Sequence, residues 1–292
     1  MCLVPAGGSA WMPPRPNIRK PRQSVRTSVR CVTESVPPMP ELGEYALAAG
    51  KNAADLLDEA ELLLRNHRWA RAYSLSVLAF EEMGKAWMTV VAMMMPDDIR
   101  PEWPLTELTA THTDKLVAAL FLGRFLSSAA VGEDPFGAVV AISENVETLA
   151  REHNRDKQRG FYVDLVGGEV REPRTVSKAE ASGVTATVRA LADYGGYLTE
   201  LGFIQWLLDG DEELQAFRAK FWDCMVAGTQ DDTGETMVTG MRGLMDDVGA
   251  TEGLPQMLRE IEQEKARERA MRNKRSQPKR PPPRGTRRRR AR

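Results

Sequence analysis

Apolar residues recur at intervals of three and four between positions 41 and 96, a pattern that an α helix turns into one continuous face. The first series comprises Leu42, Tyr45, Ala49, Ala53, Leu56, Ala60 and Leu63. The second series comprises Ala70, Tyr73, Val77, Phe80, Gly84, Trp87, Val91 and Met94. Because only residues 66–69 separate the two series, they predict an antiparallel helical hairpin.

Most of the remaining chain is also predicted to be helical. Helical patterns cover residues 105–130, 135–151, 177–208, 212–227, 236–248 and 254 to about 272. Residues 161–168 instead predict a short extended segment and a turn. The predicted fold class is therefore all-α, an antiparallel helical bundle with additional C-terminal helices and one short β-hairpin.

The formal net charge of −1 hides a strong partition of charge along the 292 residues. Residues 1–31 carry six basic and no acidic residues, and residues 265–292 carry fourteen basic residues and one acid. The body between them has 20 basic and 40 acidic residues, a net charge near −20. The basic tail is expected to bind a polyanion such as RNA or a ribosome through counterion release, or to fold back on the acidic body.

Composition divides the chain into three parts. Residues 1–40 are rich in proline and arginine, which is typical of a disordered segment. Residues 41–262 are predicted to form the helical domain with its C-terminal extension, and residues 263–292 a basic, largely disordered tail that is helical to about 272. Met39 directly precedes the first helix, so we consider it an alternative translation start.

The sequence offers little for a metal or a disulfide. The three cysteines, Cys2, Cys31 and Cys224, are irregularly spaced and form neither a disulfide framework nor a zinc site. No glutamate stands three residues before a histidine, so the di-iron signature of helical bundles is absent. We therefore expect no metal and no cofactor.

Hydropathy predicts no membrane segment. The longest apolar run, residues 86–95, is too short for a hydrocarbon core of about 30 Å. The opening residues lack a basic start that leads into an apolar stretch, so no signal peptide is predicted. Together these features predict a cytoplasmic protein with no membrane partner.

A charged cluster, Glu81-Glu82-Met83-Gly84-Lys85, interrupts the second apolar helix. Both glutamates lie within reach of Lys85, at three and four residues before it. An ion pair in a packed helix explains this spacing, and a functional site is the competing interpretation. Gly84 costs about 1 kcal/mol relative to alanine inside a helix, and a close helix crossing would explain its presence.

Four segments carry a combined pattern. They are LLDEA at 56–60, AFEEMGK at 79–85, HTDK at 112–115 and KQRGFYVD at 157–164. Together they resemble the AbiV family of bacterial abortive-infection proteins, part of the wider HEPN group of helical domains. The resemblance implies an antiviral effector that halts the growth of infected cells by attacking RNA or translation. It also implies a homodimer, and we expect a phage-encoded activator.

The resemblance further implies a metal-independent endoribonuclease, a reaction for which histidine can transfer protons near neutral pH. His112 matches the family's histidine and is assigned proton transfer. Lys115, Arg155 and Arg159 are assigned the phosphate and transition-state charge, and Glu82 the orientation of a base. The predicted catalytic residues are His112, Glu82, Lys85, Lys115, Arg155 and Arg159.

Residues for RNA binding are predicted from the basic stretch after position 155 and from the tail. They are Lys157, Tyr162, Arg287, Arg288, Arg289 and Arg290. HEPN nucleases generally carry an arginine followed by four to six residues and then a histidine, and this chain lacks that spacing. A second function therefore stays open: a non-catalytic helical module that sequesters a phage or host protein, or a partner in a toxin–antitoxin pair.

Overall fold

The structure, a computed structural model, describes residues 36–166, 168–173, 176–198, 201–228 and 235–247, together with positions 260, 263, 267 and 271. Residues 1–35 of the predicted N-terminal segment, most of the predicted helix 254–272 and most of the predicted basic tail lie outside the described residues. The predicted domain boundaries at 40 and 262 therefore remain predictions.

Helices dominate the described chain, which confirms the all-α class. The helices are α1 Met39–Arg65, α2 Trp69–Met93, α3 Leu105–Ala110, α4 His112–Val131, α5 Pro135–Ser143, α6 Val146–Phe161, α7 Lys178–Leu198, α8 Leu201–Asp209, α9 Glu212–Gly228 and α10 Glu235–Asp247, with a 3₁₀ turn at Arg100–Glu102. A two-stranded antiparallel hairpin, β1 Asp164–Val166 and β2 Glu169–Arg171, follows α6 and pairs Leu165 with Val170. None of the described helices is long and apolar enough to cross a membrane.

The predicted helical hairpin is present as α1 and α2. Asn66 ends α1, where its side chain donates a hydrogen bond to the carbonyl of Leu62. His67 turns the chain with a φ of 58°, a backbone region that asparagine, aspartate and histidine enter more readily than most residues. The buried face of α1 is turned slightly from the predicted one, because Leu57 is fully buried whereas Tyr45 is 40% exposed.

Helix α2 is the centre of the bundle. It contacts α1, α4, α6 and α7, and it is buried on nearly every side. A helix surrounded in this way has buried residues on most of its faces instead of along one stripe. Small residues on α2 let the neighbouring helices approach, and they are Ala72, Ser74, Ser76, Ala79, Gly84 and Ala86.

The predicted helix 105–130 is divided into α3 and α4, so the prediction of one continuous helix was wrong. Thr111 separates the two with an extended backbone, ψ 142°, and its hydroxyl accepts a hydrogen bond from the amide of Asp114. This is an N-cap, which satisfies one of the free amides at a helix start. The break places His112 in the first turn of α4.

The predicted helix 135–151 is also divided, between α5 and α6. Asp134 caps α5 by accepting a hydrogen bond from the amide of Gly137. Helix α6 continues to Phe161, beyond the predicted end, because its polar second half hides a buried face that includes Lys157 and Gly160. The predicted helix 177–208 is described as α7 and α8, with residues 199–200 outside the described part.

Two glycines bring α4 and α6 against α2 at very short range. A Cβ atom on Gly84 of α2 would lie 1.8 Å from the carbonyl oxygen of Lys115 on α4. A Cβ atom on Gly160 of α6 would lie 1.9 Å from Oγ of Ser74 and 2.4 Å from the carbonyl oxygen of Ala70, both on α2. The close crossing predicted from Gly84 is confirmed, and a second one joins α2 to α6.

Candidate functional site

A buried carboxylate lies where α2, α4 and α6 meet. Glu81 on α2 is 2% exposed, and each of its oxygens faces a charged or titratable side chain from another helix. Oε1 accepts a hydrogen bond from Nζ of Lys157 at 2.5 Å, and Oε2 lies 2.6 Å from Nδ1 of His112. Nζ of Lys115 is 3.9 Å from the same Oε2. We call these four residues the Glu81 cluster.

Local structure fixes each helix of the Glu81 cluster in register. The N-cap at Thr111 starts α4 so that His112 and Lys115 lie one turn apart. On α6, the carbonyl of Lys157 accepts a hydrogen bond of 2.7 Å from the hydroxyl of Ser74. The close crossings at Gly84 and Gly160 also hold α4 and α6 against α2. The cluster is therefore closely packed and has little freedom to rearrange.

The burial of Glu81 requires compensation by its neighbours. A carboxylate removed from water loses several kcal/mol of solvation, which nearby cations and hydrogen bonds must offset. Lys157 is 2% and Lys115 8% exposed, so both ammonium groups are themselves desolvated. Two lysines against one glutamate leave an excess of positive charge among these three buried groups.

The cluster opens to solvent at His112, whose side chain is 50% exposed. A carboxylate accepts hydrogen bonds and does not donate them, so its 2.6 Å contact is a hydrogen bond when Nδ1 of His112 carries the proton. In the neutral ring this leaves Nε2 as the basic nitrogen. The arrangement is a carboxylate–histidine pair that fixes the tautomer of a ring exposed to solvent.

Two predicted catalytic residues lie elsewhere on α2. Nζ of Lys85 donates a 2.6 Å hydrogen bond to Glu82, three residues before it, and also lies 6.0 Å from the ring centroid of Tyr45 on α1. The structure therefore brings His112 and Lys115 to Glu81, whereas Glu82 and Lys85 pair with each other beside α1. Glu81, and not the predicted Glu82, is the glutamate that contacts His112.

The basic residues of α6 divide between interior and surface. Lys157, predicted to bind RNA, is buried against Glu81. Arg155 and Arg159 both donate to Oδ1 of Asp156, at 3.2 and 3.1 Å, and remain partly exposed. Tyr162 follows the end of α6 and is 62% exposed. The predicted tail residues Arg287–Arg290 lie outside the described residues.

A signal for Glu81 was present in the sequence. Glu81 stands four residues after Val77 and three before Gly84, on the face of α2 that a close crossing must occupy. A charged side chain on that face is buried. Glu82, the next residue, points about 100° away around the helix axis and is more exposed. Where the chain is described, no three or more His, Cys, Asp or Glu side chains are grouped to hold a metal ion.

A second histidine, His153, is partly buried on α6, one turn before Lys157. Its ring packs edge-on against Phe80, with centroids 6.3 Å apart. Burial lowers the pKa of His153, and the nearby Asp156 and Glu152 oppose that shift only in part. The unfolded chain therefore takes up a proton at a higher pH than the folded protein, so stability falls as the pH falls through the unfolded value of about 6.5.

When the pH is lowered from about 7.5 to about 5.5, we expect the free energy of unfolding of His153→Gln to fall by less than that of the wild type. The glutamine cannot titrate, so only the contribution of His153 is removed. Urea denaturation at the two pH values gives this difference. Identical losses in both proteins would show that His153 is not the group responsible.

The fold is an all-α, HEPN-like helical bundle. The HEPN_AbiV family model, described as AbiV, matches residues 41–189, about half of the chain and all four residues of the Glu81 cluster. The chain therefore belongs to the AbiV family, which implies a role in abortive infection, an antiviral function. No curated protein and no solved structure matches it.

Proposed function

We propose that this protein is an abortive-infection effector that cleaves RNA in the cytoplasm as a metal-independent endoribonuclease. The observation that carries the proposal is the 2.6 Å contact between Nδ1 of the half-exposed His112 and Oε2 of the buried Glu81. Such a contact holds a histidine in one tautomer and directs its second nitrogen to a substrate.

In the proposed reaction Nε2 of His112 accepts the proton of an RNA 2′-hydroxyl. The freed oxygen attacks the adjacent phosphorus, the bond to the 5′-oxygen breaks, and a 2′,3′-cyclic phosphate and a 5′-hydroxyl result. The leaving oxygen must receive a proton, and Lys115, whose ammonium lies beside the same carboxylate, is the proposed donor. Lys115 also offsets charge that builds up on the phosphate oxygens.

Glu81 and Lys157 have supporting roles in this mechanism. Glu81 orients the imidazole and stabilises the imidazolium that forms when Nε2 takes the proton. Lys157 holds Oε1 of Glu81 at 2.5 Å, so the carboxylate turns its other oxygen to His112. We accordingly move the orienting role, first assigned to Glu82, to Glu81.

RNA capture is proposed to use groups around the open side of the site. Arg155 and Arg159 supply partly exposed cations on α6, and Tyr162 offers an exposed ring on which a base can stack. The tail residues Arg287–Arg290 would add long-range, salt-sensitive attraction that the acidic body lacks. A homodimer, which the family resemblance implies, and a phage-encoded activator are further parts of the proposal.

Incubation of the full-length protein with total cellular RNA in EDTA tests the reaction, with sequencing of the new RNA ends. We expect site-selective cuts from the wild type and a loss of about 10²–10⁴-fold in His112→Ala, the usual contribution of a general base. His67→Asn is the matched control, since His67 lies in the exposed α1–α2 turn and asparagine tolerates its positive φ. Undiminished cutting by a folded His112→Ala protein would remove His112 from the mechanism.

A non-catalytic binding module is the second candidate. The absence of an arginine at the usual spacing before any of the three histidines favours it. In that case the Glu81 cluster is a structural link among three helices, and growth arrest in infected cells would survive His112→Ala. No RNA cuts together with retained growth arrest in this variant would establish the module.

A further inference from the structure

Two arginines from distant parts of the chain meet at one carboxylate, away from the Glu81 cluster. Arg100 lies in the 3₁₀ turn after α2, and Arg218 lies on α9. Nη2 of Arg100 donates a hydrogen bond to Oδ1 of Asp97, and Nη1 of Arg218 is 4.0 Å from the same oxygen. The two guanidinium groups therefore face each other across a single acid.

Each arginine also holds a backbone carbonyl near the end of a helix. Nη2 of Arg100 donates to the carbonyl of Met95, just after α2, at 3.3 Å. Nη2 of Arg218 donates to the carbonyl of Leu207, in the last turn of α8, at 2.7 Å. Helix C-termini favour such cations, so a structural role accounts for one nitrogen of each guanidinium.

The remaining donors are not accounted for by that role. The Nε atoms of Arg100 and Arg218 are both buried and have no hydrogen-bond partner among the described residues. Arg218 is only 2% exposed as a whole, and a buried N–H without an acceptor costs about 1–3 kcal/mol. Two such donors on neighbouring guanidinium groups call for an acceptor with several oxygens.

The net charge of Arg100, Arg218 and Asp97 also favours the binding of an anion. Two positive charges face one negative charge, and Asp97 is 68% exposed, so water screens its contribution. Burial lowers the pKa of Arg218, the positive charge of Arg100 adds to this shift, and Asp97 opposes it. The pair is therefore under-neutralised, and its only carboxylate partner among the described ion pairs stands at the surface, where a stronger anion can displace it.

We propose that Arg100 and Arg218 bind a phosphate-type oxyanion, which enters from the Asp97 side and replaces that carboxylate. Arginine binds phosphate oxygens through several parallel N–H groups, and the spare Nε donors are suited to this. Arg100 lies in the segment 41–189 that matches the family, whereas Arg218 lies beyond it. A bound oxyanion would link the family domain to the C-terminal helices, independently of the proposed ribonuclease activity.

Inorganic phosphate and the full-length protein are used for the test, by calorimetry and thermal unfolding, with chloride at equal ionic strength as reference. Asp97→Asn removes the competing charge at an exposed position, so we expect phosphate to bind roughly tenfold more tightly. Arg100→Gln is expected to bind at least roughly tenfold more weakly than the wild type. Lys220→Gln is the matched control, because Lys220 lies on the same helix as Arg218 in an exposed pair with Asp247.

The opposite signs expected for Asp97→Asn and Arg100→Gln separate a built site from attraction to the basic tail, which all the variants share. Phosphate binding that is equal in the wild type, Asp97→Asn and Arg100→Gln would overturn the proposal. A nucleoside 5′-monophosphate that competes more strongly than phosphate would identify a nucleotide as the source of the oxyanion. Equal competition would identify free phosphate, and either result supports the site.

Discussion

Glu81→Gln is expected to lower the free energy of unfolding by about 3–5 kcal/mol, the usual effect of removing one partner from a buried ion cluster. The amide can still accept one hydrogen bond from Lys157, but it carries no charge. Two desolvated ammonium groups, on Lys157 and Lys115, then remain without an anion. Urea denaturation of wild type and variant measures the difference.

The neighbouring Glu82→Gln provides the matched control for this prediction. Glu82 pairs with Lys85 on its own helix, and both side chains keep some contact with water. We therefore expect a loss of about 1 kcal/mol or less, as for partly exposed pairs in general. Equal losses in the free energy of unfolding from the two substitutions would show that Glu81 contributes no more to stability than a partly exposed ion pair on one helix.

Gly84→Ala is expected to separate α2 from α4. Its new Cβ would lie 1.8 Å from the carbonyl oxygen of Lys115 and 3.1 Å from the amide nitrogen of Ala119. These are backbone atoms, which cannot rotate away as a side chain can. Overpacking of this kind costs about 1–3 kcal/mol or more, against a gain in helix propensity of about 1 kcal/mol.

We expect a net loss of roughly 2 kcal/mol in Gly84→Ala, together with the displacement of His112 and Lys115 from Glu81. Gly183→Ala is the control, since Gly183 lies in α7 and a Cβ there meets nothing within 4 Å. That variant should be unchanged or up to about 1 kcal/mol more stable. Thermal unfolding compares them, and equal stability of the two alanine variants would contradict the close crossing.

Local patterns in the sequence were sufficient for the helical hairpin and the all-α class. The intervals of three and four in the segment 42–94 depend only on the geometry of a single helix, and that geometry does not change with the partner. Gly84 was informative for the same reason, because a costly residue in a helix requires a local benefit. The break at Thr111 had its own signal in Thr111 and Asp114, a cap that the apolar pattern obscured.

The composition of the site depended on contacts between residues far apart in the sequence. Whether Glu81 or Glu82 faces His112 is decided by the rotation of α2 against α4, which neither helix sets alone. Lys157 stands 76 residues after Glu81 in the sequence. It is buried because α6 crosses α2 closely at Gly160. The basic segment 155–159, which the sequence predicts to be at the surface, therefore contributes a buried cation, Lys157, to the Glu81 cluster.

The most direct test of the central claim is the protonation pattern of His112, measured by long-range proton–nitrogen NMR on the nitrogen-15-labelled full-length protein. Comparison with His112→Asn assigns the signal among the three histidines. In the neutral form of the ring, orientation by Glu81 predicts a proton on Nδ1 and an unprotonated Nε2. A ring with its proton on Nε2 alone would contradict the Glu81–His112 pair and, with it, the proposed role of His112 as a base.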